Sequence, residues 1–148
     1  MEIEKLRNDW VGLEFETIEF DMKLEEMLAY SETSGETHPR FTDPEHSDFQ
    51  APSTFTAKFL GRRAFPEGFP QIGKGPGFDA GKSVDLHRPI RPGERLTAKS
   101  HIADIYEKTG RSGPMLFIVH RMEFSDPSGE LVSVVDWRRV LQPKEESE

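Results

Sequence analysis

From Leu13 to Phe20 apolar and polar side chains alternate, with Leu13, Phe15, Ile18 and Phe20 among the apolar positions and β-branched Thr17 between them. That period of two predicts a short strand. The period then changes. Asp21 is a good N-cap residue, and Leu24, Met27, Leu28 and Ser31 recur at helical spacing, so a helix is expected over roughly 22–33. Gly35 is a natural residue for its C-terminal stop. The polar stretch YSETSGETHPRFTD, Tyr30 to Asp43, leads out of this helix. Ala51-Pro52-Ser53-Thr54 then has the character of a second helix start with hydroxyl caps. Phe55, Ala57, Phe59 and Leu60 put apolar groups on one face of a helix expected from about 53 to 62, the best candidate for a buried central helix. The Gly- and Pro-rich segment from Ala64 to Lys82 is expected to be irregular. Strands follow one another after it, at Val84–Pro89, Leu96–Glu107, Met115–Phe124 and Leu131–Leu141, with Asp126-Pro127-Ser128-Gly129 as a strong hairpin turn. Long strands joined by tight turns imply an antiparallel sheet, and a helix placed before most of them implies an α+β fold with the helix against the sheet.

Length and composition narrow the picture without changing it. The 148 residues are expected to form a single domain, 1–148, with a frayed acidic tail after about residue 143. No repeat or low-complexity linker interrupts them, and 34% hydrophobic with 31% charged residues suits a globular chain. No apolar run approaches the roughly 20 residues needed to span a bilayer, and the N-terminus MEIEKLRNDW has no apolar signal-peptide core. The absence of cysteine removes disulfides, thiol nucleophiles and thiolate metal sites. A cytoplasmic setting with no membrane partner is the default expectation. The formal net charge of −8 argues against nucleic acid as a partner, which needs a basic surface. Arg62/Arg63, Arg138/Arg139 and the series Arg88, Arg91 and Arg95 would suit a small anion, against the blander reading of solvated surface charge.

Three chemical motifs are weighed and set aside. Gly81-Lys82-Ser83 ends like a phosphate-binding loop, but the position that should hold the first glycine is Pro76 and the flank after it reads as a strand. The segment is instead a glycine-rich entry into a strand. His38, Asp43, Glu45, His46 and Asp48 all carry ligand atoms, yet their spacing matches no defined metal motif, so no metal site is assigned. His87, His101 and His120 fall inside expected strands and read as sheet-face residues. A serine hydrolase has no support, because no Gly-x-Ser-x-Gly elbow is present.

The order that remains is strand, helix, the loop Gly35-Glu36-Thr37-His38-Pro39-Arg40-Phe41, the Ala51-Pro52-Ser53-Thr54-Phe55 helix start, then HRPIRPGERL and three strands. It resembles the MaoC-like hydratase/dehydratase family, closest to its N-terminal, fatty-acid-synthase-type dehydratase branch, from about Trp10 to Pro143. Arg88, Pro89, Gly93 and Glu94 carry the most specific match, the family's arginine-proline-x-x-x-glycine-acid turn. The resemblance implies the hot-dog fold, an antiparallel sheet wrapped around a central helix. It also implies an acyl-CoA thioester substrate, no cofactor, and a homodimer or a heteromer with a second MaoC-like subunit, formed by continuing one sheet into another's.

Active members of the family have G-D-x-N-P-x-H in this loop, where aspartate and histidine handle the water added to or removed from a 2-enoyl thioester. Such chemistry needs a base for water, an acid for the α-carbon and hydrogen-bond donors at the thioester oxygen. Carried over, Gly35 and Pro39 match, Glu36 stands for the aspartate, His38 for the asparagine and Phe41 for the histidine. The substrate-binding set implied is Tyr30, Gly35, Phe41, Ser53, Thr54 and Phe55, with backbone N–H groups near Ser53 and Thr54 as the oxyanion donors. Two readings compete. Glu36 and His38 form a rearranged pair and the chain is a self-sufficient homo-oligomeric hydratase; or the loop is degenerate and the chain is the acyl-binding half of a two-subunit (R)-specific enoyl-CoA hydratase / 3-hydroxyacyl thioester dehydratase. The second is preferred. A third reading from another class is an acyl-CoA binding or thioesterase module, weakened because 51–59 carries no carboxylate. Phe65, Phe69 and Phe78 would either line an acyl tunnel or pack their loop onto the core.

Overall fold

A computed structural model describes residues 2–75 and 77–143, so the tail expected after about residue 143 lies outside the described residues. Five strands carry the fold: β1 (Glu14–Asp21), β2 (Phe78–Leu86), β3 (Arg95–Gly110), β4 (Gly113–Ser125) and β5 (Leu131–Leu141). They form one sheet in the order β1-β3-β4-β5-β2, with every neighbouring pair antiparallel. The β4–β5 corner is the expected hairpin. The Asp126 carboxylate accepts from the Ser128 N–H, the Ser128 hydroxyl and the Glu130 N–H, and the Gly129 N–H closes back on the Asp126 carbonyl.

Period-two alternation turns one row of each strand inward. On β4 that row is Leu116, Ile118, His120, Met122 and Phe124, all buried. Two apolar clusters fill this inner face. One joins Met22, Met27, Phe55, Phe59, Met122 and Phe124; the other joins Leu6, Ile72, Ile105, Leu116, Ile118 and Leu141. The first is covered by α2 (Leu24–Thr33) and by the chain from Phe49 to Phe59, the second by α1 (Ile3–Trp10) and the irregular segment around Phe65–Ile72. No helix among the described residues is long and apolar enough to cross a membrane.

Several expectations meet a different outcome. The central helix expected over 53–62 is a single 3₁₀ turn, Phe55–Lys58. Its Ala57 carbonyl, which an α-helix would give to the N–H four residues on, accepts instead from the Lys82 ammonium at 2.8 Å. The Thr54 hydroxyl does not cap the turn, because Tyr30 engages it. The strand expected from Val84 begins earlier, at Phe78, and the chain after Leu86 leaves the sheet. Asp21 ends β1 rather than capping α2, whose N-cap is Lys23. α1 was not anticipated, although Ile3, Leu6 and Trp10 have the i, i+3, i+7 spacing that buries its inner stripe.

The arginine-proline turn is explained by packing. Arg88 donates to Glu94 at 2.8 and 3.2 Å and to Asp126 at 3.1 Å, while Glu94 also accepts the Arg91 N–H at 2.7 Å. This triad closes the 88–94 turn on itself and ties it to the β4–β5 corner. Arg91 in turn pairs with Asp48, and Arg95 with Glu19. The Arg88, Arg91 and Arg95 series is therefore committed to carboxylates rather than gathered around an anion.

Candidate functional site

The site is organised by the way α2 ends. Gly35 takes φ 76°, its N–H donates to the Glu32 carbonyl, and the Glu36 N–H donates to the Ser31 carbonyl at 2.9 Å. This is the paired closure that glycine permits at a helix C-terminus, and it reverses the chain so that Glu36 is half-buried directly beyond the helix. Three residues later a short helix begins, α3 (Pro39–Thr42), with proline at its first position. Its N-cap is His38, whose Nδ1 accepts the Arg40 N–H at 3.1 Å. The exposed His38 ring stands 6.2 Å from Phe41 and 6.1 Å from His46, centroid to centroid. Phe41 is half-buried, with the Arg40 guanidinium 5.9 Å from its ring centre.

The bond to His38 decides a tautomer. A neutral imidazole whose Nδ1 accepts must carry its proton on Nε2, so the exposed nitrogen of His38 is a donor and not a base.

Beyond α3 the polar residues satisfy the loop itself. Asp43 accepts the Glu45 N–H, His46 Nδ1 accepts the Asp48 N–H, and Asp48 pairs with Arg91 at 3.0 Å. The Arg91 hydrogen bond holds the Asp48 carboxyl below the usual carboxylate range. Among the described residues no group of three or more His, Asp or Glu side chains is arranged to hold a metal ion.

The second half of the site is the 3₁₀ turn. Tyr30, near the end of α2, reaches across so that its hydroxyl lies 2.7 Å from the Thr54 hydroxyl and 3.1 Å from the Thr54 carbonyl. Its ring meets Phe55 edge-on at 5.5 Å. Ser53 and Thr54 are exposed, and their N–H groups precede the turn's first bond, Phe55 N–H to the Pro52 carbonyl. The structure thus brings Tyr30, Thr54 and Phe55 into direct contact and groups Glu36, His38 and Phe41 in one loop. Helix α2 and the Gln50 N–H bond to the Arg40 carbonyl join the two halves.

Of the three phenylalanines in the irregular segment, Phe65 and Phe69 stack at 5.0 Å against the second cluster and border a cavity of about 220 Å³. Phe78 is 62% exposed at the start of β2.

One sheet-face residue outside this site is a buried titratable group. His120 is 2% exposed on the inner face, and among the described residues neither ring nitrogen has a hydrogen-bond partner. Burial, and then the charges of Lys82, His101 and Arg139, pull its pKa down to about 4. The sequence signal was its inward position in the row Leu116, Ile118, His120, Met122, Phe124, where every other member is apolar.

The family model described as FAS1-like, dehydratase domain region, matches residues 9–135. A UPF0336 protein of Parafrankia sp. (strain EAN1pec) is 29% identical over 138 residues, covering 86% of this chain and 89% of that protein. Among solved structures, the MaoC-like dehydratase from Rhodospirillum rubrum superposes with a TM-score of 0.64 at 19% identity, over 98% of this chain and 99% of that one. The C-terminally truncated HadBC (3R-hydroxyacyl-ACP dehydratase) complex from Mycobacterium tuberculosis gives 0.62 at 19% identity, over 88% and 93%. The fold is therefore the α+β hot dog of the MaoC-like dehydratases, with the wrapped segment reduced to one 3₁₀ turn and flanking extended chain.

Proposed function

Because the chain belongs to the FAS1-like dehydratase domain family, we propose that it is the acyl-binding half of a hydratase/dehydratase acting on 2-enoyl and 3-hydroxyacyl thioesters. A partner hot-dog subunit supplies the carboxylate and imidazole that move the water. The observation that carries this reading is the His38 Nδ1 bond to the Arg40 N–H. With that nitrogen occupied and the proton on Nε2, His38 offers no lone pair to water, and Phe41 replaces the other imidazole position altogether. Glu36 keeps a carboxylate, on a stem one carbon longer than the aspartate it stands for. The chain's own contribution is to hold the thioester. In this reading the N–H groups of the exposed residues Ser53 and Thr54 donate to its oxygen, supported by the Tyr30 contact to Thr54 at the start of the turn. The HadBC relative is itself a complex that dehydrates 3R-hydroxyacyl groups on a carrier protein, which supports a two-subunit arrangement.

The test is hydration of enoyl-CoA thioesters by the purified chain alone, then with a MaoC-like subunit that carries the aspartate–histidine pair. Activity is expected only in the mixture, with Glu36→Gln changing it less than about threefold. Robust turnover by the chain alone that falls about 100-fold or more in Glu36→Gln would establish the self-sufficient reading instead. Release of free CoA without hydration would make the chain a thioesterase.

A further inference from the structure

The outer face of the sheet carries a pattern that the candidate site does not use. α1, α2 and the chain over 49–72 bury their apolar groups on the inner face, which leaves the outer face to the alternate residues of the strands. Register sets those residues in rungs. At one end Tyr106 on β3, Phe117 on β4, Val140 on β5 and Phe78 on β2 form an unbroken apolar rung across four strands. Tyr106 and Phe117 are half-buried and stack at 4.9 Å, and Phe78 is 62% exposed. Two rungs further along, Arg121 on β4 and Asp136 on β5 are bonded to each other at 2.7 and 2.9 Å. In the rung beyond, Lys99 on β3 and Asp85 on β2 stand at opposite ends. Lys99 is exposed and, with Glu123 opposite it on β4, makes no ion pair among the described residues. Asp85 is exposed too and, with His87, Arg121 and Asp136, borders an open groove of about 380 Å³.

A lysine at one corner and a carboxylate-edged groove at the other lie three strand spacings apart, about 14 Å, too far to meet within one chain. They meet when a second copy lies face to face on the first. In a two-fold pair every contact from one position to another recurs in the reverse direction. A face-to-face pair has two simple closed arrangements. With the axis along the rungs each strand lies over itself, and Lys99 never reaches Asp85. With the axis along the strands, between β4 and β5, β3 lies over β2 of the second copy and β4 over its β5. Lys99 then faces Asp85 of the second copy, Arg121 faces Asp136, and Tyr106 faces Phe78, each twice.

The geometry points to this outer face as an interface between two copies of this chain, with the two-fold axis parallel to the strands. The occupant is a second copy because the face is complementary to itself, in charge and in the place of its apolar rung. A partner surface of one charge sign would set either Lys99 or Asp85 against its like. Four strands by four rungs make a footprint of about 19 by 27 Å, roughly 500 Å² per copy, the size of a weak, concentration-dependent contact. The backbone edges of β1 and β2 stay free, so a catalytic subunit has room to pair with an edge at the same time. Pairing of this kind is independent of what the site binds.

Sedimentation velocity of the full chain over about 5–500 µM is expected to show a monomer–dimer equilibrium. Lys99→Asp and Asp85→Lys each create two like-charge contacts and are each expected to weaken the dimer about 100-fold. Mixed in equal amounts, the two variants form heterodimers in which both contacts join opposite charges, so the mixture is expected to regain the native affinity. An edge-to-edge dimer survives at least one of the reversals, because Lys99 and Asp85 lie toward opposite edges of the sheet. Both positions are exposed, so both variants are expected to fold. Should one not fold, the chain carrying both reversals again has opposite charges in each contact and is expected to dimerise as the native chain does. A native chain that is monomeric throughout that range, a dimer that survives either reversal, or a mixture or doubly reversed chain that stays monomeric overturns the interface.

Discussion

At the scale of single residues, two histidines divide the chemistry of this protein. His38 spends Nδ1 on the Arg40 N–H, so its ring orders the loop; His120 spends nothing and sits buried among Phe15, Met122 and Trp137. The second has a consequence for stability. Its pKa in the folded chain is about 4, below the ordinary 6.5, because burial opposes the charge. The unfolded chain therefore takes the proton first as pH falls. Stability from this group is complete above about pH 6.5 and is lost on the way down to about 4, with about 2 kcal/mol gone by pH 5. Denaturant midpoints are expected to fall between pH 7 and pH 5 in the native chain and to flatten over that window in His120→Leu. The carboxyl of Asp126, held down to about 2 by the Ser128 hydroxyl first and by Arg88, takes effect only at lower pH. The candidate loop residues were legible in the sequence as residue types at a family spacing. The tautomer of His38 was not, since it depends on where one backbone N–H points.

At the scale of elements, the 3₁₀ turn is the least regular piece and the one that positions the most. Thr56 on the turn and Ser133 on β5 share a hydroxyl–hydroxyl bond of 2.7 Å, both residues buried. Thr56→Val leaves the Ser133 hydroxyl unpaired and is expected to cost about 1–3 kcal/mol in urea unfolding. The double variant with Ser133→Ala should recover most of it; strictly additive losses would show that the two hydroxyls do not act together. The strands were read to within a few residues because alternation and turn residues are local signals. Phe55, Phe59 and Leu60 match a helical stripe over 53–62, while the contacts that keep the segment to one turn come from Tyr30 at its start and Lys82 near its end. Those partners lie 24 and 25 residues away, beyond any window of local pattern.

At the scale of the whole molecule, among the described residues the sheet ends in two unpaired edges, β1 and β2, and Phe78 stands exposed on the second. Such an edge invites pairing with another sheet. If the assembly forms there, Phe78→Glu is expected to convert it to monomers in sedimentation velocity; an unchanged mass would remove Phe78 from the interface. The sequence alone determined the antiparallel sheet, the hairpin corner, the glycine stop at Gly35 and the family of the loop, because each is written in neighbouring residues or in a recurring motif. Only the tertiary structure decided that the central helix shrinks to one turn, that Arg88 locks two corners together, and that His120 is left without a partner. Each of these depends on groups distant in the chain competing for the same carbonyl, carboxylate or space, and such a competition is settled only when the strands come into register.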